Sequence, residues 1–136
     1  MLASGRWHTR GRAIVYCAPN PATAVLEVLV HSAAEHAAAL GDFQFVKIEV
    51  PDQVAAAQVE ESQLPPDWAA RIDWSRAWGD RWLREGSSAL LWVRSVLVPE
   101  TYNALLNPQH PEAAGIRLLS AFPYPLDARL LRPSDH

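Results

Sequence analysis

The residues of this chain with chemistry to offer are few and far apart. Arg6 lies in Ser4-Gly5-Arg6-Trp7-His8, just ahead of an apolar run. A guanidinium presents a planar fork that matches a phosphate or a carboxylate, and Gly5 lets the backbone pass close to a ligand. The alternative for Arg6 is a solvated side chain in a fraying terminus. Arg10 and Arg12 follow with no acid between them, so the opening is locally basic and suited to a small anion. The whole chain has a net charge of −3, which argues against generic binding to nucleic-acid backbones.

Glu27 is the most informative single residue. In Ala24-Val25-Leu26-Glu27-Val28-Leu29-Val30 one carboxylate stands among aliphatic neighbours. Glutamate is rarely buried unless paired, so it is either a site acid at a cleft or a solvent-facing residue paired with His31 one turn on. Tyr16, inside an apolar run, is either a stacking platform for a flat ligand or a core tyrosine with a satisfied hydroxyl. Ser95 follows Arg94 where a strand is expected to end. It has no Gly-x-Ser-x-Gly elbow around it, which argues against a hydrolase nucleophile and leaves a ligand-bonding serine or a turn serine. Asn107 and His110, in Asn107-Pro108-Gln109-His110-Pro111, are open to the same two readings, ligand contact or turn building. His8, Cys17, His31 and His36 show no metal-ligand spacing, so no metal is expected. No Walker loop or dinucleotide glycine fingerprint is present.

Certain elements must position these residues. Ala13 to Ala18 is expected as a buried strand ending at Pro19. Asn20-Pro21 reads as a helix start, with the helix running to Leu40 and stopping at Gly41. Its apolar stripe includes Val25, Leu26 and Leu29. Phe43 to Val50 is a second strand with Val46 and Ile48 on one face. Asp52 to Asp73 reads as loop around Pro65-Pro66, with a short helix near Val54 to Val59. Trp74 to Glu85 reads as a helix ended by Gly86. Trp74, Trp78 and Trp82 form one stripe on it, facing a core or a partner rather than a ligand. Ser88 to Val93 and Ile116 to Phe122 are further strands, and Pro99 to Leu106 is expected to hold a turn or two of helix. Helices and strands mix without a regular alternation, which makes the class α+β.

Composition sets the frame for these elements. The 136 residues suit a single domain, and 49% hydrophobic with 20% charged residues is the balance of a globular protein with a real core. One cysteine excludes an internal disulfide and suits a reducing compartment. The opening residues carry no apolar run of the signal-peptide kind, and no stretch reaches membrane-spanning length. The expected location is therefore the cytoplasm, with neither membrane nor direct nucleic-acid binding.

Taken in order, the motifs resemble the RES-domain family of bacterial toxins. Gly5-Arg6-Trp7-His8, Val15-Tyr16-Cys17-Ala18 and Ala24 to His31 look like the opening of such a domain. Ser88 to Pro99, Asn107 to Pro111 and Asp127-Ala128-Arg129-Leu130 look like its later blocks. The family is named for an arginine, a glutamate and a serine, which here fall on Arg6, Glu27 and Ser95. The resemblance implies an ADP-ribosyltransferase-like fold, with a split β core flanked by helices around an NAD cleft. It implies a toxin that consumes NAD by hydrolysis or phosphorolysis and releases nicotinamide, paired with an Xre-type antitoxin, with a homodimer in the complex as a further expectation. Alternatives are transfer of ADP-ribose to a protein, or a non-enzymatic protein-binding module. Glu27, Arg6, Tyr16 and Ser95 would be catalytic, with Arg6, Tyr16, Ser95, Asn107 and His110 contacting NAD, and Arg6 and Glu27 facing one pocket. The sequence departs from the family in two places. Only Met1 to Ser4 precede Gly5, so the family's first strand is expected to be missing or shortened in this single domain of residues 1–136. Arg94 stands where a proline usually precedes the serine, offering either a phosphate contact or a solvated charge.

Overall fold

The computed structural model describes residues 5–31, 44–123 and 129. In chain order its elements are β1 (Val15–Cys17), α1 (Pro21–His31), β2 (Gln44–Glu49), β3 (Ala56–Gln58), α2 (Ile72–Glu85), β4 (Leu90–Arg94), β5 (Tyr102–Leu106) and β6 (Arg117–Pro123). Short 3-10 turns lie at Glu61–Gln63, Trp68–Ala70 and Pro111–Gly115. This is an α+β fold. The chain divides into two compact units, Met1–Pro19 with Val50–Ile116, and Asn20–Glu49 with Arg117–His136.

The first unit holds a four-stranded sheet in the order β1-β5-β4-β3. β4 and β5 are antiparallel and central, with Leu91 opposite Leu105, both wholly buried. Val93 of β4 joins Trp7, Val59, Trp82 and Leu83 in the core around them. α2 covers this core with the tryptophan stripe read from the sequence. Trp82 is buried and its indole N–H donates to Ser88 Oγ at 2.8 Å, while Trp74 and Trp78 pack partly buried against the cluster. The stripe is therefore core. The helix ends as expected at Gly86, whose φ of 60° suits a residue without a Cβ and whose N–H closes on Trp82 O at 3.0 Å.

Three expectations need correction here. Residues 54–59 hold no helix; β3 runs parallel to β4, and a parallel pair needs a crossover, which α2 supplies. Pro99 to Leu106 is not helical either. Tyr102–Leu106 pairs antiparallel with β4, and Ser95 N–H to Thr101 O at 2.8 Å closes the hairpin. The helix-forming character of Ala104, Leu105 and Leu106 gives way to burial on the sheet. β1 is shorter than Ala13 to Ala18 and is not buried: it is an edge strand, with Val15 and Tyr16 43% and 44% exposed.

In the second unit α1 begins at the expected cap, Asn20 Oδ1 accepting from Thr23 N–H at 2.9 Å ahead of the first helical residue, Pro21. The expected helix end at Leu40 and Gly41 lies outside the described residues. β2 and β6 form a two-stranded antiparallel sheet, with Phe45 stacked on Phe122 and Glu49 bonded to Arg117 at 3.2 Å. A register shift between Lys47 and Ile48 interrupts the simple alternation of faces.

Candidate functional site

Arg6 sits on a tight turn. Gly5 and His8 close an isolated antiparallel bridge, the Gly5 N–H donating to His8 O at 3.0 Å. One face of α2 grips the main chain of this turn from residue 5 to residue 9. Arg76 Nε donates to Gly5 O at 2.7 Å, and the wholly buried Ser75 donates its hydroxyl to Arg6 O at 2.7 Å. Gly79 lies so close to Trp7 that a Cβ there would collide with the Trp7 carbonyl. Asp80 accepts both the Thr9 N–H at 2.9 Å and the Thr9 hydroxyl at 2.7 Å. Positions 75, 76, 79 and 80 share a helix face because side chains three to four apart lie above one another. Trp7 adds an apolar anchor, packing on Trp68 at 6.1 Å and edge-on to Trp74 at 6.0 Å between ring centroids.

The Arg6 guanidinium is held without a counter-charge. Its Nη2 donates to Trp68 O at 2.7 Å and its Cζ stands 5.4 Å from the centre of the Trp68 ring. Its Nε is buried and has no hydrogen-bond partner. No carboxylate among the described residues forms an ion pair with it. Burial, and then the charge of Arg76, lower its pKa, although an arginine stays protonated throughout the biological range.

Tyr16 belongs to the same network. Its hydroxyl accepts the Trp7 N–H at 3.0 Å and lies 2.8 Å from His8 Nδ1, the two rings tilted at 46°. Desolvation of the hydroxyl end pushes its pKa up to about 12, against the Trp7 N–H and Arg76, which act to lower it. The exposed part of Tyr16 is thus ring, and the hydroxyl is turned inward. Gly5 has no room for a side chain, because a Cβ would strike the Tyr16 hydroxyl and the His8 ring. The close approach at Gly5 is made by its own chain.

The remaining candidates sit in turns. Ser95 is buried, and its Oγ accepts from Leu97 N–H and Val98 N–H, both at 3.1 Å. Asn107 is also buried and uses Oδ1 to accept from Gln109 N–H at 3.1 Å. His110 Nδ1 accepts from Glu112 N–H at 3.1 Å, capping the 3-10 turn that starts at Pro111. Each shows the turn-building contacts weighed for it. Arg94 reaches the Tyr102 hydroxyl at 3.2 Å and Glu61 at 3.7 Å. It borders a shallow depression of about 200 Å³ shared with Trp68, Pro65 and Pro66. Arg6, Tyr16, Ser95, Asn107 and His110 all belong to the first unit, whereas the half-buried Glu27 is carried by α1 in the second. The Asp127 to Leu130 block lies outside the described residues apart from Arg129.

Sequence reasoning singled out Arg6 and Tyr16 but missed what holds them. The signal was available in Ser75-Arg76-Ala77-Trp78-Gly79-Asp80, where two small residues one helical turn apart are each followed by a charge. Among the described residues no three His, Cys, Asp or Glu side chains gather as a metal site, and no helix is long and apolar enough to cross a membrane.

The family model described as RES domain matches residues 1–127. The chain is 41% identical over 118 residues to a protein of Pseudomonas putida named Toxin Res, spanning 87% of this chain and 80% of that one. It is 40% identical over 137 aligned positions to the Prs ADP-ribosylating toxin of a Sphingobium species, covering 96% and 83% of the two chains. A Toxin Res of Photorhabdus laumondii is 33% identical, over 96% of this chain and 84% of its own.

Proposed function

The chain belongs to the RES-domain family, and from that premise we propose that it is a bacterial toxin that consumes NAD in the cytoplasm and is neutralised by an Xre-type antitoxin. The reaction breaks the bond between nicotinamide and ribose. Nicotinamide in NAD is already cationic and leaves without being protonated. What needs stabilising is the oxocarbenium-like ribose left behind, and a carboxylate beside it interacts more strongly as positive charge develops. Glu27 takes that role. Arg6 holds the pyrophosphate and so fixes the ribose in place. The exposed Tyr16 ring flanks the nicotinamide. Ser95, its rotamer set by the two N–H groups it accepts, orients the ribose. Asn107 and His110 border the dinucleotide. Glycoside cleavage is the nearest chemical analogy, with a similar transition state.

The observation that carries this reading is the state of Arg6: a guanidinium held through Nη2 to Trp68 O, with a buried, unpartnered Nε and no bonded carboxylate among the described residues. A site built for a solvated surface arginine has no use for such fixing. The test is incubation of the purified chain with NAD, with and without inorganic phosphate, followed by product analysis. Nicotinamide should accumulate as NAD disappears, and a phosphorylated ADP-ribose formed only with phosphate would identify phosphorolysis. NAD left intact in both arms would overturn the proposal. A second acceptor has its own support, because the Sphingobium relative is named for ADP-ribosylation of Prs. Adding candidate protein acceptors and reading mass gain by one ADP-ribose separates transfer to protein from release of free product.

A further inference from the structure

We propose that Arg76 is a second guanidinium of the anion site, binding the same pyrophosphate as Arg6. This rests on the reading that Arg6 holds the NAD pyrophosphate, and it adds a residue from a different element.

The geometry is specific. Arg76 spends its Nε on Gly5 O at 2.7 Å, the carbonyl one residue before Arg6. Ser75, its neighbour on α2, holds Arg6 O at 2.7 Å. These two bonds tie the Arg76 side chain and its neighbour Ser75 to the main chain at Gly5 and Arg6, so the two charges are kept near one another by the fold. Neither is neutralised among the described residues. Asp80, one helical turn beyond Arg76, directs both oxygens to Thr9. Arg6 rests on a carbonyl and a ring, and Arg76 on a carbonyl, and none of these carries a formal charge.

Two like charges fixed close together with no counter-ion repel one another, a cost that a folded chain ordinarily avoids by letting long side chains swing apart. Here the bonds of Arg6 Nη2 to Trp68 O and of Arg76 Nε to Gly5 O prevent this, and an anion between the two forks would convert the repulsion into attraction for both. With Nε committed, the two terminal nitrogens of Arg76 remain to form a paired contact with phosphate oxygens. A diphosphate, with its two adjacent charged groups, fits two guanidiniums better than a single carboxylate does.

The test uses the full chain, with inorganic pyrophosphate and ADP-ribose as probes in isothermal titration. Arg76→Gln keeps a donor for Gly5 O and removes the charge, Arg76→Lys keeps the charge, and Arg84→Gln on the exposed face of α2 is the control. Arg76→Gln should weaken pyrophosphate and ADP-ribose about tenfold or more, the usual scale for a lost charged hydrogen bond. Arg76→Lys should lose much less and Arg84→Gln nothing. A readout on the unmutated chain avoids any folding defect: pyrophosphate should protect both Arg6 and Arg76 from phenylglyoxal, scored peptide by peptide. Equal affinities in wild type and a folded Arg76→Gln, protection of Arg6 alone, or no pyrophosphate binding at millimolar concentration would overturn the assignment. Pyrophosphate binding that depends on Arg76 in a chain that leaves NAD intact would uphold this site and remove the NAD reading instead.

Discussion

The two sheets of this chain are held together differently. In the four-stranded sheet, β4 and β5 face Leu91 against Leu105 with neither accessible to solvent, and α2 lays three tryptophans along the same core. In the two-stranded sheet every residue of β6 is exposed, Leu118 by 65%, and among the described residues an aromatic stack and an ion pair join the strands. Cross-strand pairs of that kind contribute roughly 0.2–1 kcal/mol each, and a lone two-stranded ribbon is marginal. Arg6 and Tyr16 are tied to the sheet built on burial, while Glu27 belongs to the unit that holds the ribbon. The proposed binding residues and the proposed acid thus lie in differently stabilised parts of the chain.

The sharpest way to break this contrast is through the cores. Leu91→Ala should cost about 2–5 kcal/mol in urea unfolding, and Leu118→Ala, on the exposed ribbon, no more than about 0.5 kcal/mol; similar losses at both sites would erase the distinction. Next comes the division of labour. Glu27→Gln should reduce NAD turnover on the order of a hundredfold or more with an unchanged circular dichroism spectrum, and wild-type turnover would place the chemistry entirely in the first unit. Gly79→Ala should push α2 off the Trp7 carbonyl, destabilising the fold by about 1–3 kcal/mol and weakening NAD in calorimetry; a neutral result would show that the turn does not depend on the helix. The smallest effect concerns pH. The Tyr16 phenol, raised to about 12 in the fold against about 10 in an unfolded chain, binds its proton more tightly when folded. Its contribution to stability is complete below about pH 10 and is lost as pH rises from there through about 12. Spectrophotometric titration of phenolate should show a late phase that disappears in Tyr16→Phe, and a wild-type titration without that phase would remove the prediction.

Local chemistry was legible in the sequence wherever it decided the structure. Asn20-Pro21 began a helix, Gly86 ended one, and the spacing of Trp74, Trp78 and Trp82 predicted a stripe facing a core or a partner, because caps and periodicity act over a few residues. The α+β class followed from the same signals. β3 and β5 were not legible: Ala-Ala-Gln and Tyr-Asn-Ala-Leu-Leu have no strong strand character of their own and become strands only because β4 lies between them. In the site, the residue types of Arg6 and Tyr16 were visible, and the turn roles of Ser95, Asn107 and His110 were weighed from their neighbours. The grip of Ser75, Arg76 and Asp80 on residues 5–9 was not, since it joins segments about seventy positions apart and leaves no short-range pattern.

That separation bears on how the protein is made. The turn around Arg6 leaves the ribosome about seventy residues ahead of the helix residues that hold it. Long-range contacts form late because a large loop must close before they are rewarded. A nascent or prematurely terminated chain that lacks the second helix therefore carries Arg6 on an unsupported peptide. Such fragments should lack the fixed turn, which ties its formation to synthesis of the second helix.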